Sequence, residues 1–144
     1  MNPKPLAPDI SVTTQVTPAA IAAAKAAGFR AIINNRPDGE EPGQPSSAEL
    51  EAAAKAAGLE YRHIPVVPGA FSDAQIGAFC DAMGGCDKPA LAFCKSGMRA
   101  TSLWALSQAG KLATDEILRK ADACGYDLTP LVPRIEARAR GAQG

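Results

Sequence analysis

The sequence predicts an α/β domain with a mainly parallel sheet of four to five strands and helices on both faces. Three observations carry this. Short apolar, β-prone runs alternate with helical stretches along residues 17–110. The helical stretches open on capping residues and close on glycines, and the runs between them suit strands that are covered on both faces. At 144 residues the chain is long enough for one hydrophobic core and short for two. One domain over residues 1–144 is expected, with its core at 11–110 and C-terminal helices over 114–139.

The elements follow in order. "ISVTTQV" adds an early edge strand. In "TPAAIAAAKAAGFRAIINN" Thr17 caps a helix, Pro18 takes its first position and Gly28 ends it, before the strand "FRAII". "SSAELEAAAKAAGLEYRHIPV" repeats the plan, with a capping box in Ser46 and Glu49, a stop at Gly58 and a strand near residues 61–66. The near-identical "AAAKAAGF" and "AAAKAAGL" are similar answers to one local problem rather than a structural repeat. Ser72 or Asp73 caps a third helix, "DAQIGAFCDAMGG", which leads to the apolar strand "PALAFC". "MRATSLWALSQAG" is a helix ending at Gly110. The tail holds two more amphipathic helices, with Thr114 and Thr129 as caps.

In a parallel sheet sites form at the carboxyl ends of the strands. Three loops should meet there: "NNRPDGEEPGQP", "PVVPGAFS" and "CKSGMR". Lys plus Arg and Asp plus Glu number 15 each, so no overall basic field exists to hold nucleic acid or an anionic membrane, and any anion site is local. The start, "MNPKPLAPDI", lacks the apolar stretch of a signal peptide, and no window approaches a membrane span. A soluble cytoplasmic protein is expected. Cys80, Cys86, Cys94 and Cys124 form no CxxC pair and His63 is the single histidine. No metal site or cofactor is expected.

Cys94 stands where the strand ends and a helix begins at Met98. That junction offers free backbone N–H groups and the positive end of a helix dipole. Gly97 lets the turn curl its amides inward, and Arg99 adds a cation. Together these favour a reactive thiolate. A buried strand cysteine beside a solvated arginine is the bland alternative. It is outweighed because the turn glycine, the strand-to-helix switch and the place at the sheet's carboxyl end agree. Lys95 reads as an exposed charge that helps attract an anion. Arg36 either anchors its loop, through Asp38 or a backbone carbonyl, or lines the pocket beside Arg99. Cys80 and Cys86 read as buried packing and His63 as core or surface.

"FCKSGMRATSLWAL" and "FRAIINNRPDGEEPGQPSSAELEAAAKAAGLEYRHIPV" resemble the phosphatase-like domain of the beta-lactamase hydrolase-like proteins, the DUF442 group, also called a sulfurtransferase family. The resemblance covers most of residues 11–110 and implies the fold of the cysteine-dependent dual-specificity phosphatases. Tyrosine phosphatases place five residues between nucleophile and arginine. Here Lys95, Ser96, Gly97 and Met98 make four, as in the persulfide-carrying loop of rhodaneses. A shorter loop suits a single sulfur better than a phosphoryl group. The histidine that commonly precedes a phosphatase cysteine is Phe93, and the hydroxyl residue that often follows the arginine is Ala100. The loop "VPGAF" has no general-acid aspartate. Asp38 is the better acid candidate, with a turn-forming role as the alternative.

The leading expectation is therefore a sulfurtransferase. Cys94 carries the persulfide, while the amides of residues 95–100 and Arg99 stabilise anions. The alternatives are a phosphatase working through phosphocysteine with Asp38 as its acid, and a non-catalytic anion- or persulfide-binding module. The expected ligand is a small sulfur-containing anion or a phosphate-type substrate. Family members fused to sulfur dioxygenase domains imply a sulfur-oxidising partner.

Overall fold

The sheet is built from five four-residue strands, and its central pair shows why the core has two sides. Ile32 lies opposite Leu91, Ile33 opposite Ala92 and Asn34 opposite Phe93 in a parallel ladder. Successive side chains point to opposite faces, so Ile32, Leu91 and Phe93 feed one hydrophobic cluster while Ile33 and Ala92 feed the other. All of these apolar residues are fully buried, which is why the runs are continuously apolar.

The computed structural model of the protein describes residues 2–143. Strands β1 (Lys4–Ala7), β2 (Ile10–Thr13), β3 (Ala31–Asn34), β4 (Glu60–His63) and β5 (Ala90–Phe93) form one sheet in the order β1-β2-β5-β3-β4. All neighbours are parallel except β1 and β2. The expected edge position of the early strand is corrected: "ISVT" is β2, inside the sheet against β5. The edge is β1, which precedes the expected core. Its Lys4 and Pro5 are exposed, and a register shift falls between Pro5 and Ala7. Lysine, proline and irregular pairing all suit an edge.

Helices α1 (Pro18–Ala26) and α2 (Ser47–Ala57) cover one face. Helices α3 (Asp73–Gly85), α4 (Met98–Ser107), α5 (Thr114–Ala123) and α6 (Val132–Gln143) lie on the other, through Ile76, Phe79, Leu103, Leu106, Ile117 and Ile135.

The caps follow the sequence in part. The Thr17 hydroxyl accepts from the Ala20 N–H, and Ser46 from Glu49 N–H. The reciprocal capping box forms at Ser72 and Gln75, so Ser72 and not Asp73 is that cap. Thr114 does not cap: Ala113 holds the N-cap position, and Thr114 is already helical. Thr129 opens a short 3-10 turn to Leu131. There Asp127 Oδ1 accepts from both the backbone N–H and the hydroxyl of Thr129.

Candidate active site

Cys94 follows the last residue of β5 and is fully buried. The chain then turns through Lys95, Ser96 and Gly97 into α4. Gly97 is the N-cap, at φ 92°, in the left-handed region. This aims its N–H back at the cysteine, and it donates to Cys94 Sγ over 3.1 Å. The helix start has no side-chain cap, leaving its positive end to act on the loop. The Met98 N–H is engaged by Ser96 Oγ at 3.2 Å.

Two contacts from distant segments fix this loop. Gln15, just beyond β2, donates its N–H to Lys95 O. Tyr126, in the connection after α5, donates its hydroxyl to Ser96 O over 2.9 Å. A Cβ on Gly97 would overlap that phenolic oxygen and lie 3.3 Å from Thr13 O. The position therefore needs glycine for space as well as for φ. Burial, and next the charge of Cys94, push the Tyr126 phenol up from its ordinary pKa, keeping it a donor.

Arg99 reaches back across the mouth of the loop. Its Nη1 donates to Glu40 Oε2 and to Val66 O, both at 2.8 Å, and its Nη2 donates to Glu40 Oε1 at 2.9 Å. Glu40 is shared: Arg36 Nε donates to its Oε1 at 2.7 Å. Arg36 also donates to Gln15 Oε1 and Glu41 Oε1, while Lys95 Nζ lies 2.6 Å from Glu41 Oε1. Three cations and two carboxylates thus bridge the loop after β3 to the loop after β5. The hydrogen bonds from Arg99 hold the Glu40 carboxyl down at about 2, from an ordinary 4.5, against the opposing effect of its burial. Glu40 in turn pushes Arg99 up.

The structure sorts the expected residues. Cys94, Gly97 and Arg99 are brought together, with Lys95, Ser96, Met98 and the buried Ala100 around them. Arg36 joins two of its readings, anchoring its loop and standing beside Arg99, through Glu40 and Glu41 rather than Asp38. Its carbonyl accepts from His63 Nε2–H, which gives that histidine a structural task. Asp38 turns to the start of α2, where Oδ1 accepts from the Ser47 N–H over 2.7 Å. The carboxylates that meet the cations are Glu40 and Glu41. The paired acids in "RPDGEE" facing the paired bases of "CKSGMR" were the available signal for them. Tyr126 had none, because nothing local ties residue 126 to residue 96. Thr101 and Ser102 donate their hydroxyls back along the helix to Gly97 O and Met98 O. All four cysteines are free. Burial raises the pKa of Cys86 and of Cys124.

Two depressions adjoin the loop. One, of about 310 Å³, is charged and lined by Arg36, Glu40, Glu41, Lys95 and Arg99. The other, of about 470 Å³, runs from Lys95, Ser96 and Arg99 between the segment after β4 and the 3-10 turn.

The family model for the beta-lactamase hydrolase-like protein, phosphatase-like domain, matches residues 3–111. The chain belongs to this family. Beta-lactamase hydrolase-like proteins of Xylella fastidiosa (strain 9a5c) and Agrobacterium fabrum (strain C58) are 43% and 40% identical to it over 114 and 116 residues. These matches take in 78% and 79% of the chain. It spans about a quarter of the length of each, 26% and 27%. A crystal structure from Neisseria meningitidis z2491, described as a candidate phosphatase, is 30% identical, with a TM-score of 0.84 over 94% of this chain and 96% of that one. A DUF442 structure from Shewanella putrefaciens CN-32 gives 0.73 at 20% identity, over 99% and 93%. Human DUSP28 gives 0.68 at 15%, over 99% and 98%. The beta-lactamase hydrolase-like phosphatase domain thus has the tyrosine- and dual-specificity-phosphatase fold. Among the described residues no helix is long and apolar enough to cross a membrane.

Proposed function

We propose that the protein is a cysteine-dependent sulfurtransferase working on a phosphatase-like scaffold. One observation carries the reading: the short loop donates the Gly97 N–H to Cys94 Sγ, while both terminal nitrogens of Arg99 are committed to Glu40 and Val66 O. A phosphoryl group needs several inward amides and a free guanidinium for its three oxygens. One sulfur atom on Cys94 needs far less room.

In the forward step the Cys94 thiolate attacks the outer, sulfane sulfur of a donor such as thiosulfate. The donor's S–S bond breaks, sulfite leaves with the electron pair, and Cys94 carries a persulfide. An acceptor thiolate then attacks the outer sulfur and releases the Cys94 thiolate. Neither step requires a proton for its leaving group, in keeping with a site in which the carboxyl paired with Arg99, Glu40, is ionised down to about pH 2. A separate sulfur-oxidising enzyme is a fitting consumer of the transferred sulfur.

A phosphatase is the second reading, and the comparisons favour it. The family description and the structural neighbours are phosphatase-like. There Cys94 would attack phosphorus and an alkoxide would leave, needing a general acid worth about a hundredfold or more in rate. Against it stand the engagement of Asp38 with Ser47 and of Glu40 with two arginines.

A paired assay decides between them: thiosulfate-to-cyanide sulfur transfer and aryl phosphate hydrolysis for the wild type and Cys94→Ser, with intact mass to detect an added sulfur. Sulfur transfer and a persulfide adduct, both lost in C94S, are expected. Cys94-dependent phosphate release without a persulfide from any donor overturns the sulfur reading in favour of the phosphatase. Absence of both activities leaves an anion-binding module.

A further inference from the structure

The groove beside the loop has the wrong character for an inorganic anion alone. Its walls are chiefly apolar: Pro68 and Phe71 after β4, Met98 on α4, and Leu128, Pro130 and Leu131 around the 3-10 turn. Among the described residues Met98 is one of two large apolar side chains that stand exposed, at 38%. The groove is continuous with the candidate site, because Lys95, Ser96 and Arg99 belong to its wall. At about 470 Å³ it matches sites for organic small molecules, about 300–1,000 Å³, and far exceeds what one thiosulfate ion fills. Charge is also graded along it. Lys95 and Arg99 stand at the loop, and its one carboxylate, Asp127, lies on the C-terminal segment. The three cations and two carboxylates of the cluster leave one net positive charge at the loop, so a substrate with a singly anionic end at Cys94 and an uncharged body in the groove meets complementary surroundings at both ends.

We infer that the physiological sulfur donor is an organic sulfane compound, an alkyl or aryl thiosulfonate or a close relative, whose apolar body lies in this groove. Leu128, Pro130 and Leu131, after position 111 where the family match ends, supply one wall of the groove, and Pro68, Phe71 and Met98 the other. The inference rests on the sulfurtransferase reading. The chemistry balances: the Cys94 thiolate attacks the terminal sulfur of the thiosulfonate anion, the S–S bond breaks, and the organic sulfinate departs with the electron pair, leaving the Cys94 persulfide. Total charge and atoms are conserved and no oxidant is required. The apolar body adds binding that inorganic thiosulfate cannot supply, as pocket contacts with single groups commonly change kcat/KM by about tenfold or more.

The test compares benzenethiosulfonate with thiosulfate as donors to the full chain. Sulfinate or sulfite release and intact mass are the readouts, and each rate is divided by the donor's rate with a simple free thiol. Wild type should favour benzenethiosulfonate by about tenfold or more in corrected kcat/KM. Phe71→Ala and Leu131→Ala, each checked for native circular dichroism and melting, should both lower that donor ratio several-fold. Equal corrected rates in the wild type, or ratios left within twofold of it by both variants, overturn the inference while the sulfurtransferase reading stands. Absence of a persulfide from either donor overturns both.

Discussion

Gly97 shows how one residue can be constrained twice. Its φ of 92° costs a side chain about 1–3 kcal/mol, and the overlap of a Cβ with Tyr126 adds to that. Gly97→Ala should lower stability in urea unfolding by about 2 kcal/mol or more and reduce sulfur transfer sharply. Adding Tyr126→Ala should restore part of the stability but not the activity, since the overlap goes and the backbone strain stays. Glu40 gives a pH prediction with a definite sign. Its carboxyl is held at about 2 in the folded chain against an ordinary 4.5, so folding favours its ionised form. The stabilisation is complete above about pH 4.5 and is lost as pH falls through about 2. Unfolding followed between pH 6 and 2 should show this decline, and Glu40→Gln should flatten its Glu40 share. The same variant frees the terminal nitrogens of Arg99 from a carboxylate, so it should bind inorganic phosphate or sulfate more tightly than the wild type in a calorimetric titration.

Among the elements, the strand–turn–helix at residues 90–107 was legible because its parts are local: a run of apolar residues, a glycine, and a helix with no breaker inside it. The three loops at the carboxyl ends of the parallel strands follow from the same logic, since the connection rules put them on one side. Capping was less legible. Ser, Thr and Asp crowd the helix starts, and which of them caps depends on where the backbone leaves the extended region, as Ser72 against Asp73 and Ala113 against Thr114 illustrate. The pin from Tyr126 to the loop joins residues thirty apart in sequence, and no periodicity records it. Tyr126→Phe keeps the ring over Gly97 and removes only the hydrogen bond to Ser96 O. It should cost about 1 kcal/mol, seen as a fall in Tm of a few degrees, and should slow persulfide formation more than it lowers stability.

At the scale of the whole molecule, α5 and α6 belong to the core rather than to a decoration of it. Ile117 and Ile135 are fully buried with Leu103 and Leu106 of α4, the helix that begins at the Cys94 loop. Ile135→Ala should cost about 2–4 kcal/mol through lost contacts and a residual cavity, measurable as a lower urea midpoint with little change in slope. By itself the sequence determined the alternating α/β plan, the buried central strands and the Cys94–Arg99 loop with its four intervening residues. These follow from local chemistry: apolar runs, glycine at the turn, and the length of one short segment. Only the tertiary structure decided which carboxylate faces Arg99, that β1 takes the edge, and that the C-terminal segment supplies both Tyr126 and a wall of the groove. Those outcomes depend on which distant segments the packed sheet and helices bring within hydrogen-bond reach. Asp38 and Glu40 sit two residues apart with the same charge, and the turn between them sends one to Ser47 and the other to the arginines.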